Sequence, residues 1–221
     1  MATERLWRRQ SKRQVTFKQR AVFHLVMTGV ALLCALANYL LLFMSPELLD
    51  GVPLFLTLPT YIGIAMLGEQ LLMKSKKELV SLSGTLLIAS PLGLVSYRCF
   101  GGEVNVLLLQ LLLPLICTIS ALGALNTLTA LLSLPKHSVT ALSIVTGILC
   151  TLMMSEGLGL PWVYWLLLLI ALGRLGRYWE RARALTCTAD NAIDVIGALV
   201  IDSLNPLYYL RVGRAYKLRG Y

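Results

Sequence analysis

The chain has 221 residues, of which 57% are hydrophobic and 14% charged, where soluble domains carry about one half and one quarter. That balance excludes a water-soluble globule, and the aperiodic Gly and Pro and scattered Cys exclude collagenous, disordered and disulfide-stapled classes. The net charge of +9 is concentrated at the two ends of an apolar body, which argues against a nucleic-acid groove and for topology signals and anionic headgroups.

Crossing about 30 Å of hydrocarbon takes roughly 20 helical residues, and six runs approach that length. A basic tail over 1–20, with Arg5, Arg8, Arg9, Lys12, Arg13, Lys18 and Arg20, precedes the first run, Ala21 to Met44. Ala35-Leu36-Ala37 has the look of a signal cleavage site, but the apolar run continues past it, so an uncleaved signal anchor is expected. The tail composition also fits a mitochondrial address, yet Leu6, Trp7, Val15 and Phe17 make no regular amphipathic stripe.

The second run is Val52 to Met73 and the third Leu79 to Tyr97; the fourth starts at Val104 within a stretch reaching Leu134. The fifth is Val139 to about Met154. The sixth starts at Trp162 and its clean apolar part ends at Gly173, so Arg174 and Arg177 are expected to snorkel toward headgroups. The predicted fold is an all-α integral membrane protein, a six-span bundle over 21–178, followed by a cytoplasmic or interfacial segment, 179–221.

Loop charge orients the bundle, because Lys and Arg of short loops collect on the cytoplasmic side. With the N-terminus inside, the tail, Lys74, Lys76, Lys77, Lys136 and eight cations after position 173 share one side, nineteen of the twenty. Arg98 alone falls outside, with Glu47, Asp50, Glu103 and Glu156. Both termini are therefore expected in the cytoplasm.

Ile193, Ile196, Val200 and Leu204 recur at helical spacing beyond Asp190, with Asp190, Asp194 and Asp202 among them. Aspartate near a bilayer centre costs about 2.5 to 3.5 kcal/mol, so an amphipathic interfacial helix is expected, with a helix packed under the bundle or a re-entrant hairpin as alternatives. Asn205-Pro206 ends it. Arg211, Arg214, Lys217 and Arg219 then alternate with tyrosines as candidate contacts to the membrane surface or a partner.

Ionisable and amide groups inside the runs are few. Glu69 and Gln70 lie near the cytoplasmic end of the second, His24 sits one turn into the first, and Asn126, with Thr127 and Thr129, forms the deepest polar cluster. These are the candidate intramembrane polar sites, either interhelical hydrogen-bond partners or substrate contacts. Pro59, Pro91 and Pro114 are candidate kinks. An offset of sixty aligns Gly63 with Gly123 and Lys76 with Lys136 as a thin internal repeat, which Leu-rich composition also produces.

Catalytic groups are scarce. The cysteines form no C-x-x-C pair, and His24 and His137 are the only histidines, so neither a metal nor a cofactor is expected. Ser81-Leu82-Ser83-Gly84 lacks the leading Gly of the rhomboid-protease nucleophile motif and any late-span histidine to activate Ser83. No phosphate-binding Gly loop is present.

The hairpin in which Ser45-Pro46-Glu47-Leu48-Leu49-Asp50-Gly51-Val52-Pro53 joins two long apolar segments resembles those of reticulon-type membrane shapers in architecture. That resemblance implies an endoplasmic-reticulum setting. The expected function is a non-enzymatic endomembrane protein that scaffolds, shapes or escorts membrane partners, in contact with anionic headgroups and other membrane proteins or its own copies. The alternative is a small channel or secondary carrier with a kinked-helix pathway. The mitochondrial inner membrane and the plasma membrane remain open as locations.

Overall fold

The computed structural model describes residues 16–48, 51–74, 77–90, 102–130, 132, 134–135, 137–153 and 161–204. Every regular element among them is a helix: α1 (Phe17–Leu48), α2 (Leu54–Lys74), α3 (Glu78–Ala89), α4 (Gly102–Leu128), α5 (Ser138–Met153), α6 (Trp162–Ala182) and α7 (Ala189–Leu204). The all-helical prediction holds for the physical reason that a helix satisfies its own backbone polar groups without water.

Three helices, α1, α2 and α4, are long and apolar enough to cross a membrane. The described helix α3 has 12 residues and α5 has 16, which at about 1.5 Å per residue is short of a bilayer core. Of the predicted third span, 91–97 lies outside the described residues. Helix α6 has 21 residues, but Arg174 and Arg177 interrupt its apolar run. Spanning length is therefore shown for three helices where the sequence predicts six. The expected boundary at 178/179 falls inside α6, which continues to Ala182.

Pro59 lies within α2 and Pro114 within α4, each inside one continuous helix. Pro91 lies outside the described residues.

Small residues set the closest approach. An ideal Cβ on Gly68 of α2 would stand 2.7 Å from the Gly84 carbonyl oxygen of α3, and one on Gly84 2.7 Å from the Gly68 oxygen. The two backbones touch, so α2 and α3 pack as a tight hairpin. Helix α1 lies against α4, and α5 against α6, with α4 also touching both. The main core combines Phe23, Met27 and Cys34 of α1 with Leu122 of α4 and Leu175 and Trp179 of α6.

Helix α7 is docked against other helices of the bundle. It packs against α1, α3 and α6, and none of residues 189–202 is exposed. It also runs beside α3 in the same direction. The Ser81 hydroxyl donates to Asp190 Oδ1 at 3.0 Å near the start; Gly197 faces Thr85; and Ile201 clusters with Ile88 and Leu72. Two of the acids that argued for water find partners. Asp190 has Ser81, while Asp202 accepts from the Tyr178 hydroxyl, and Arg174 Nη1 donates to the Asp202 carbonyl at 2.8 Å. Arg174 is thus turned to the C-terminal turn of α7, where a cation complements the helix dipole. The α7 N-terminus is closed by Thr188, whose Oγ1 accepts from Asn191 N–H at 3.2 Å, a common N-cap geometry.

Candidate functional site

Four chain segments meet at the end of the bundle where α1 begins: Arg20 and His24 of α1, the α4 terminus from Asn126 to Ala130, the α5 start at His137 and Val139, and the α6 terminus from Glu180 to Arg183. The structure opens a cleft of about 250 Å³ between them, with Arg20 and Arg183 in its lining. Leu132, Pro135 and Ala184 at its edge are exposed.

Arg183 holds the far wall together. Its Nη1 donates to Asn126 Oδ1 at 3.0 Å, and its Nη2 to the carbonyls of Thr129 at 2.9 Å and Leu132 at 2.6 Å. Those carbonyls follow the C-terminal end of α4 at Leu128, where the helix dipole favours a cation. Asn126 is fully buried and its Nδ2 donates to the Leu122 carbonyl at 2.8 Å. The amide is satisfied at both ends.

Arg20 reaches the same turn, donating from Nη1 to the Ala130 carbonyl at 3.1 Å. Its Nε is buried without a hydrogen-bond partner among the described residues, as are His24 Nδ1 and Trp179 Nε1. His24 lies one turn beyond Arg20 and is 2% exposed. Burial first, and the Arg20 charge second, press the Arg183 guanidinium below the ordinary arginine range.

The one carboxylate among the described lining residues is engaged elsewhere. Glu180 accepts from the Thr140 hydroxyl at 2.9 Å and from the His137 backbone N–H, so it caps the first turn of α5, where His137 adopts a positive φ of 68°. The His137 ring nitrogen Nδ1 lies 3.9 Å from Glu180 Oε2. Among the described residues neither Arg20 nor Arg183 forms a salt bridge. No group of His, Cys, Asp and Glu suited to a metal ion occurs among the described residues.

The residues singled out in the sequence fall in three places. Asn126 is in this cluster, and its hydrogen-bond partners are Leu122 and Arg183. Glu69 is half-buried and Gln70 exposed on α2, whose main neighbour is α3. Arg211, Arg214, Lys217 and Arg219 lie outside the described residues. Sequence reasoning counted Arg20 and Arg183 only as tail and loop charge. Arg20 carried a positional signal, flanking an apolar run; Arg183, beyond Arg174, Arg177 and Arg181, carried none.

No family model matches this chain, and no curated protein or solved structure matches it.

Proposed function

We propose that this protein is a multi-pass membrane protein of the endoplasmic reticulum or another endomembrane that holds membrane partners without turning over a substrate. In this reading α1 to α6 form six spans, both termini face the cytoplasm, and α7 enters the bundle from that side. The partners are other membrane proteins or further copies of the chain, with anionic headgroups met by the C-terminal cations.

One observation carries the reading: many hydroxyls and amides along the helices are occupied by their own helices. The side chains of Thr28, Asn38, Thr85, Thr118, Ser120 and Thr151 each donate to a carbonyl four residues earlier. Such groups are turned away from forming a shared polar path, which conduction or carriage needs. Apolar surface is meanwhile turned outward, with Leu25, Leu36 and Phe43 exposed on α1, Phe55 and Met66 on α2, and Leu166 and Ile170 on α6. In lipid these faces meet acyl chains or other helices.

Reconstitution tests the role. Purified protein in liposomes is expected to pass no ion or solute above protein-free vesicles, while crosslinking in native membranes recovers defined protein partners or a homo-oligomer. Flux that Glu69→Gln abolishes overturns this reading in favour of a carrier. Cysteine labelling tests the topology. Opposite accessibility of tags at the two ends would mean an odd number of crossings.

A further inference from the structure

We propose that the cleft between Arg20 and Arg183 is a binding site for a phosphate group, as borne by an anionic phospholipid headgroup or by free phosphate. The proposal needs only that this end of the bundle faces a phosphate source; it does not depend on the holding role.

Two guanidinium groups line one cleft, and neither forms a salt bridge among the described residues. Like charges brought together in a partly dry recess repel, and an anion between them removes that repulsion. Glu180 cannot act as that anion while its oxygens hold the α5 start. The described lining therefore has two positive charges against one engaged negative charge.

The donors are also suited to the ligand. Guanidinium presents planar, paired N–H groups that match phosphate oxygens, and it is less strongly hydrated than ammonium. Arg183 is held in place by three acceptors, so its fork is fixed before a ligand arrives. Among the described residues Arg20 is anchored through Nη1 alone and its Nε is unpartnered, which leaves donor capacity on the α1 side. A water takes about 30 Å³ of liquid volume; the cleft, at about 250 Å³, has room for a phosphate group with some of its hydration. Exposed Leu132 and Pro135 at the rim leave the site open to the outside.

The test is native mass spectrometry of the full chain in detergent, titrated with phosphatidic acid or phosphatidylcholine, alongside thermal shift with inorganic phosphate. All arms are repeated with Arg211, Arg214, Lys217 and Arg219 changed to Gln, so that headgroups attracted to the tail are not counted. Phosphatidic acid is expected to bind at least tenfold more tightly than phosphatidylcholine in both backgrounds. Arg20→Gln is expected to remove at least tenfold of that preference, and Arg177→Gln, at an exposed position of α6, none.

If Arg20→Gln fails to fold, Ala184→Glu carries the test, because that lining position is exposed and its backbone N–H bonds only within its own turn. It places a carboxylate in the cleft and is expected to abolish anion preference. Stabilisation by inorganic phosphate with displacement of phosphatidic acid supports a site that reads the phosphate group alone. Phosphatidic acid binding with no phosphate effect supports the lipid as source, and the reverse supports a soluble one. Absence of binding in every arm, or a preference unchanged by both Arg20→Gln and Ala184→Glu, overturns the proposal.

Discussion

The Arg183 guanidinium donates to the Asn126 side-chain oxygen at 3.0 Å across 57 residues of sequence. This bond fixes the end of α4 to the end of α6. Asn126→Leu leaves a guanidinium donor unpaired, which costs about 1 to 3 kcal/mol. A lower melting temperature in detergent is the expected result, with Asn126→Asp, which keeps an acceptor at the same place, retaining most of the stability. An unchanged melting temperature for Asn126→Leu would show that the bond does not tie the two helices.

Glu180 gives a second handle on the same end. Glu180→Ala removes the acceptor for both the His137 N–H and the Thr140 hydroxyl. Loss of such a cap costs about 0.5 to 2 kcal/mol. Hydrogen exchange at the first turn of α5 should speed up while the middle of α4 stays protected. Uniform change across both helices would contradict a local capping role.

Contact between α2 and α3 is set by backbone, which cannot move aside as a side chain can. Gly68→Ala places a methyl 2.7 Å from the Gly84 oxygen, and overpacking of this kind costs about 1 to 3 kcal/mol. Gly63→Ala on the same helix meets nothing within 4 Å and should leave the melting temperature unchanged or slightly raised. Equal effects of the two substitutions would mean the hairpin is not closely packed at Gly68.

Cys187 offers a pH readout of the basic cleft. It lies in the α6–α7 connection, where burial raises its thiol above the ordinary cysteine range and the Arg20 charge opposes that shift. The thiolate is the reactive form. Alkylation of Cys187 should therefore begin at higher pH than that of a solvent-exposed thiol, and accelerate as pH rises. Arg20→Gln removes the opposing charge and should move the onset higher still. Peptide mass spectrometry after timed labelling measures both, and an onset shifted lower in Arg20→Gln would contradict the assigned contact.

Length and hydropathy made α1, α2 and α4 legible, because each is long enough to announce itself without knowledge of neighbours. Asn126 was legible for a similar reason, as an amide in an apolar run. The rest depends on pairing across the chain. Asp190 and Asp202 read as signs of water because Ser81 and Tyr178, which supply their hydroxyl partners, lie on other helices. Arg20 and Arg183 read as topology charge because their convergence requires α1, α4 and α6 to share an end. Alternating apolar runs imply which ends share a side, but not which side chains turn toward one another.

The burial of α7 among α1, α3 and α6 has a consequence for biogenesis. A chain released or truncated before residue 189 lacks the side chains of Ala192, Ile193 and Ile196 that fill the core around Phe23 and Met27. Helix α1 therefore waits for α7 to complete its packing. Quality control would meet this chain with an open seam until α7 is made, and deletion of α7 should mark the chain for degradation.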